Sequence, residues 1–136
     1  MARHLYLAPL RWSDMDAYQH VNNVQFLRLL EDARVDLLFT NGPGPRVRTP
    51  EEAIIVVRNE IDYLAPLIYR PEPVLVETWT QEIRSAWFTL GYVIRDDDRV
   101  YAKASTRLAC YDLVRNRPRR VSAEQRAYLE KFVEEA

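Results

Sequence analysis

Period-two alternation is clearest between Val100 and Tyr111. Val100, Ala102, Ala104, Thr106, Leu108 and Cys110 form an apolar face there, and Tyr101, Lys103, Ser105, Arg107, Ala109 and Tyr111 an amphipathic one. That is the mark of a half-buried strand. β-Branched and aromatic runs over 53–64, 74–84 and 87–95 predict three more strands at hairpin distances. A shorter run from Leu5 to Trp12 predicts a first strand, which Pro9 either stops or confines to an edge. At Asn22 the period changes. Phe26, Leu29, Leu30, Ala33 and Leu37 recur at spacings of three and four, so a helix is predicted over 22–39. Asn22 supplies its N-cap and Gln25 the second half of a capping-box pair. Arg28/Asp32 and Glu31/Arg34 sit at salt-bridge spacing on its presumed outer face, and Asn41-Gly42-Pro43-Gly44-Pro45 ends it. A polar, proline-broken turn at 115–120 leads to a second, shorter helix. Ser122 caps that helix, Gln125 stands three residues on, and the pattern carries to residue 135.

The order is strand, long helix, four strands, short helix: an α+β chain. A lone long helix must bury its stripe on one face of the antiparallel sheet, and the sheet then curls around it. No repeat or linker divides the chain, so 1–136 is expected to be one domain of ordinary size.

Composition narrows the function classes. A net charge of -1, from 19 basic and 20 acidic residues, offers no broad positive field for nucleic acid. Cys110 is the only cysteine, which excludes an intrachain disulfide and a thiolate metal cluster and fits a reducing cytoplasm. On the apolar face of its strand, it is expected to be buried and inert. The longest aliphatic run, Ala53 to Val57, falls far short of the ~20 residues that span a bilayer. Residues 1–12 lack a secretory apolar segment. A cytoplasmic protein without membrane, metal or cofactor is the expectation.

The chemistry concentrates in Asp14-Met15-Asp16-Ala17-Tyr18-Gln19-His20-Val21-Asn22-Asn23. Two carboxylates and an imidazole stand directly before a helix N-terminus. Free backbone N–H groups there carry a partial positive charge of about half a unit. That field keeps a nearby carboxylate ionised and stabilises a developing oxyanion, which suits acyl transfer. Loop aspartates also serve as plain turn formers, and spacing alone does not separate the two roles. Calcium is rejected, because an EF-hand loop starting at Asp14 needs Gly at 19 and Glu at 25, where this chain has Gln19 and Gln25. No Gly-x-Ser-x-Gly elbow exists for a serine triad. Zinc lacks both cysteines and a His-x-x-x-His pair. His20 either fixes the loop or takes part in the reaction.

Further residues carry a resemblance. Arg11-Trp12-Ser13-Asp14-Met15-Asp16, His20-Val21-Asn22-Asn23 and Glu31-Asp32-Ala33-Arg34 are similar to the 4-hydroxybenzoyl-CoA thioesterase branch of the hot-dog fold acyl-CoA thioesterases. Val57 to Leu67 and Ala109-Cys110-Tyr111-Asp112 resemble it too. The resemblance implies a hot-dog fold: one long helix wrapped by a curved five-stranded antiparallel sheet, with a short C-terminal helix. It implies hydrolysis of an acyl-CoA or an acyl carrier protein thioester, in a homodimer or a dimer-of-dimers tetramer with the active site at the subunit interface. Asp16 becomes the catalytic base or nucleophile and the Asn23 backbone N–H the oxyanion donor, with Asp14 and His20 in support. Relatives hold CoA phosphates with adjacent basic residues at the start of the fourth strand; here that stretch is Arg84-Ser85-Ala86-Trp87, with Arg84 alone basic. Arg84, Ser85 and Arg58 are the candidate substrate contacts, with Tyr63 lining the acyl pocket. Since fold alone does not guarantee turnover, a non-catalytic acyl-CoA-binding module is the alternative.

Overall fold

The computed structural model describes residues 3–44 and 48–134. Strand β1 (His4–Ala8) leads to helix α1 (Asn23–Val35). Then come β2 (Ala53–Tyr63), β3 (Val74–Ile83), β4 (Trp87–Arg95), β5 (Val100–Asp112), the two-residue β6 (Arg117–Pro118) and α2 (Ala123–Glu130). The sheet runs β1-β3-β4-β5-β2, with β6 added beside β5, and every pairing between these strands is antiparallel. Both α1 and the sheet obey their predicted periods. Phe26, Leu29, Leu30, Ala33 and Leu37 are all at most 4% exposed, and they meet Phe88, Leu90, Tyr92 and Ile94 of β4 and Leu108 and Cys110 of β5 in one core. Each Leu or Phe buried in this way contributes about 2 kcal/mol. Burial also pushes the Cys110 thiol pKa up, as expected of an inert cysteine.

Four local expectations are corrected. The first strand stops at Ala8, because Pro9 offers no N–H to the ladder and residues 12–14 close a 3₁₀ turn instead. The long helix widens at Asp36–Thr40, where the Asn41 N–H donates to the Asp36 carbonyl five residues back (3.1 Å). A Cβ at Gly42 would fall 2.3 Å from the Leu38 carbonyl oxygen, so that exit requires glycine; Pro45 lies outside the described residues. Of the two pairs expected on the outer face of α1, Arg28–Asp32 forms with both side chains part-exposed (2.8 Å), but Arg34 does not stand on an outer face. Arg34 is 8% exposed, its Nη1 3.4 Å from the Tyr92 hydroxyl. Finally, α2 ends at Glu130, since the chain is drawn onto β3: the Thr80 hydroxyl donates to Leu129 O (2.8 Å) and the Thr80 N–H to Phe132 O (2.9 Å). Residue 135 lies outside the described residues.

No helix is long and apolar enough to cross a membrane among the described residues. The sheet edges are β1 and β2. The β2 edge is 11 residues long, with Val56 and Val57 43% and 51% exposed.

Candidate active site

Residues 9–22 carry the chain from the end of β1 to the start of α1, and two small turns shape them. In the first, the Asp14 N–H donates to Arg11 O (2.9 Å). Asp14 itself is 1% exposed. Its carboxylate accepts from the Arg11 N–H (2.8 Å), Arg11 Nε (3.1 Å) and Arg28 Nη2 (2.7 Å), while its carbonyl accepts from the Asn22 N–H (2.9 Å). Charge-assisted bonds of this kind are stronger than neutral ones, so Asp14 clamps the loop onto α1. In the second turn the Gln19 N–H donates to Asp16 O (2.9 Å) and the Asp16 N–H to His20 O (3.2 Å). Gln19 takes the left-handed backbone needed to close it (φ 61°).

These turns carry Asp16 to the helix opening. Its Oδ1 accepts from the Tyr18 N–H and its Oδ2 from Asn22 Nδ2, both at 2.9 Å. The Asn22 Oδ1 in turn accepts from the Val24 N–H (2.9 Å), the N-cap bond. Gln25 does not complete a capping box. Its side chain turns to Arg28 Nε instead (2.9 Å). The Asn23 N–H, first of the helix, finds no acceptor among the described residues. One cleft of ≈ 470 Å³ is lined by Asp16 with Trp12, Met15, Ala17, Gln19 and Ile68. Another of ≈ 290 Å³ is lined by His20, Asn23, Phe26 and Tyr63 with residues 64–66.

Among the residues singled out in the sequence, Asp16, His20, Asn23 and Tyr63 lie around this end of α1. The His20 ring is exposed in the cleft, and it is the His20 carbonyl that holds the loop. The Tyr63 hydroxyl donates to Asn23 O (3.1 Å), and its ring stacks on Phe26 with centroids 5.3 Å apart. The other three lie elsewhere. Arg58 stands opposite Arg107 in the β2–β5 ladder and is paired with Glu60. Arg84 and Ser85 form the β3–β4 turn, whereas β1 delivers the motif loop beside Val74 at the other end of β3. There Arg84 pairs with Glu82 (2.6 Å) and Ser85 O accepts from the Val121 N–H (2.8 Å). Ile68 and Pro66 line these clefts without having been foreseen; they come from an irregular connection that has no period to read. Among the described residues, no group of three or more His, Cys, Asp or Glu is placed to hold a metal ion.

An antiparallel sheet curled around one long helix, with a short C-terminal helix, is the architecture of the hot-dog thioesterases. The chain belongs to the thioesterase-like superfamily, whose family model matches residues 10–129, and it is a thioester hydrolase. It is 29% identical over 126 residues to the long-chain acyl-CoA thioesterase FadM of Escherichia coli (strain K12), covering 91% of this chain and 95% of that relative. Among solved structures it is similar to the probable thioesterase YbaW from Escherichia coli, with a TM-score of 0.79, 28% identity and coverage of 96% of this chain and 99% of that one. A predicted thioesterase from Bacillus stearothermophilus shares the fold, with a TM-score of 0.83 at 22% identity and 99% coverage of both chains.

Proposed function

We propose that the protein hydrolyses acyl-CoA thioesters, with Asp16 as the reacting carboxylate and the Asn23 N–H as the oxyanion donor. The observation that carries this is the relay Val24 N–H to Asn22 to Asp16, which holds a carboxylate at the helix opening while the Asn23 amide stays free. As a base, Asp16 takes a proton from water as the hydroxide adds to the thioester carbon. As a nucleophile, its oxygen forms a mixed anhydride that water then cleaves. Either route passes through an oxyanion, and in both the thiolate leaves and takes up a proton. A fixed amide aimed at that oxyanion serves both, worth roughly 3–4 kcal/mol for one such donor. His20 stands in the cleft in support, and Tyr63 with Phe26 walls the acyl group.

The likeness to FadM, a long-chain acyl-CoA thioesterase, supports a CoA ester of an extended acyl chain as substrate. The long β2 edge supports a homodimer, in turn a unit for a tetramer, because an exposed strand of this length is a template for pairing with a second copy. Arg84, Ser85 and Arg58 then contact CoA from a partner copy, since within one chain they lie away from Asp16. A reducing cytoplasm suits the single buried thiol. Thiol release from acetyl-, long-chain and aromatic acyl-CoA and from an acyl carrier protein thioester tests the reading, with light scattering for assembly. The expected result is turnover of the long-chain CoA ester by a dimer or tetramer; tight binding without thiol release overturns hydrolysis.

A further inference from the structure

The free Asn23 N–H stands between two peptide groups that are both pinned. On its N-terminal side the Asn22 carbonyl accepts from the Gln25 N–H (2.8 Å). On its C-terminal side lies the peptide joining Asn23 to Val24, and both polar groups of that peptide are taken. The Val24 N–H donates to Asn22 Oδ1 (2.9 Å), and the Asn23 carbonyl accepts from the Tyr63 hydroxyl (3.1 Å). The contacts made by Gln25 and Val24 lie within residues 22–25 and move with that turn. The motif loop steadies Asn22 through Asp14 O and the Asp16 carboxylate, but among the described residues no hydrogen bond from that side reaches Asn23. Helix ends fray when only their own turn holds them. The Tyr63 contact is different in kind. Among the described residues it is the one hydrogen bond that reaches residues 22–25 from the sheet.

Tyr63 is itself firmly held. It ends β2, opposite Ala102 in the β2–β5 ladder. Beyond it the chain is tied again at once, the Leu64 and Ala65 N–H groups donating to Tyr101 O (2.8 and 3.3 Å). Leu67 O then accepts from the Val21 N–H (2.7 Å), one residue before the cap. The ring stacks on Phe26, which is 4% exposed, with centroids 5.3 Å apart. A strand and the helix it addresses thus fix the hydroxyl together. We infer that Tyr63 is a positioning residue, whose hydroxyl keeps the Asn23 N–H aimed by holding the next peptide along. This rests on the hydrolase reading above and adds what keeps its oxyanion donor in place. A donor of this kind contributes only where it already points at the developing charge. The ring walls the cleft whatever the hydroxyl does, so the two roles come apart under substitution.

Tyr63→Phe keeps the ring and its stack and removes only the hydroxyl. On a long-chain acyl-CoA it should lose about 10-fold in kcat, within the cost of a slightly misplaced catalytic group. KM should stay within about twofold of wild type, since the lost interaction serves the transition state. The urea midpoint should stay near wild type, because one part-exposed hydrogen bond contributes little to stability. An unchanged kcat, or a loss confined to KM, overturns the proposal and leaves Tyr63 a wall.

A readout without turnover separates failure here from failure of the hydrolase reading. Asp16→Asn should hold a bound long-chain acyl-CoA intact, so the stretching band of an isotope-labelled thioester carbonyl can be read in that complex by infrared difference spectroscopy. A carbonyl polarised by a fixed N–H absorbs at lower frequency than the free ester. Adding Tyr63→Phe should move the band back toward the free-ester position. A band already at that position in Asp16→Asn alone removes the Asn23 donor, and the hydrolase reading as drawn goes with it. A lowered band that Tyr63→Phe leaves in place keeps that reading and overturns the positioning role.

Discussion

The inner and outer sides of the motif loop carry the same functional group in opposite circumstances. On the inner side, the Asp14 carboxylate is closed off from water and held by two arginines. On the outer side, two residues later, Asp16 is half-buried, meets no cation, and accepts from one amide and one carboxamide while facing an open cleft. A carboxylate wrapped in guanidinium groups and shut off from water is a clamp. One held by neutral donors beside an open cleft keeps its access to a ligand. The loop thus sets a closed carboxylate and an open one within three residues of each other.

Substituting each carboxylate in turn breaks the comparison most sharply. Asp16→Asn should cost about 10²–10⁴ in kcat, the usual range for a positioned acid–base group, and leave the urea midpoint near wild type. Asp14→Ala should do the reverse. Removing a buried partner leaves Arg28 half-buried with Asp32 as its one remaining carboxylate and Gln25 as a neutral acceptor, and about 3 kcal/mol of stability should go with it. Turnover per folded molecule should fall far less. Equal stability losses in the two variants would erase the distinction between the carboxylates.

Much of this was legible in the chain because period and capping are local. The stripe Phe26–Leu37 and the alternation of β5 translate directly into burial, and the Asn22 cap forms as its residue type predicts. The loss of the first strand at Ala8 follows from a proline that the sequence also displays. Spacing did not separate Asp14 from Asp16; only the family resemblance told them apart. Arg28, 14 residues from Asp14, sets the difference, and nothing in the spacing says that this arginine folds back onto the loop. Arg34 misled for a related reason. Its spacing from Glu31 reads as a surface pair, but the curl of the sheet brings Tyr92 over that side of the helix. Tertiary contacts of this kind override a pattern that is correct at the level of one element.

The contact between Asn22 and Asp16 can be altered without losing the cap. Asn22→Asp keeps a good N-cap residue, so stability should stay within about 1 kcal/mol of wild type. It replaces the donor beside Asp16 Oδ2 with a second carboxylate. Like charges at that distance favour protonation of one of the pair, so the acid limb of the pH–rate profile should move to higher pH. An unmoved limb would show that the Asn22 carboxamide does not govern the reacting group.

Asp96, in the turn between β4 and β5, extends the comparison to a clamp remote from the chemistry, and its effect should be the smallest. Its carboxylate takes the Tyr101 hydroxyl, Arg70 Nη1 (2.7 Å) and the N–H groups of Asp98 (2.8 Å) and Arg99 (2.9 Å). The Tyr101 hydrogen bond, followed by Arg70, holds its pKa well below the usual carboxylate range. A lowered folded-state value means that these contacts stabilise the protein fully above the unfolded carboxylate pKa of about 4 and fade as pH falls below it. Urea unfolding at pH 7 and at about pH 3 should therefore show wild type losing more stability on acidification than Asp96→Asn. Thiol release at pH 7 should be the same for both. A variant with the same acid loss as wild type would place the proton-sensitive carboxylates elsewhere, with Asp112, lowered chiefly by the Arg115 amide, the next to substitute.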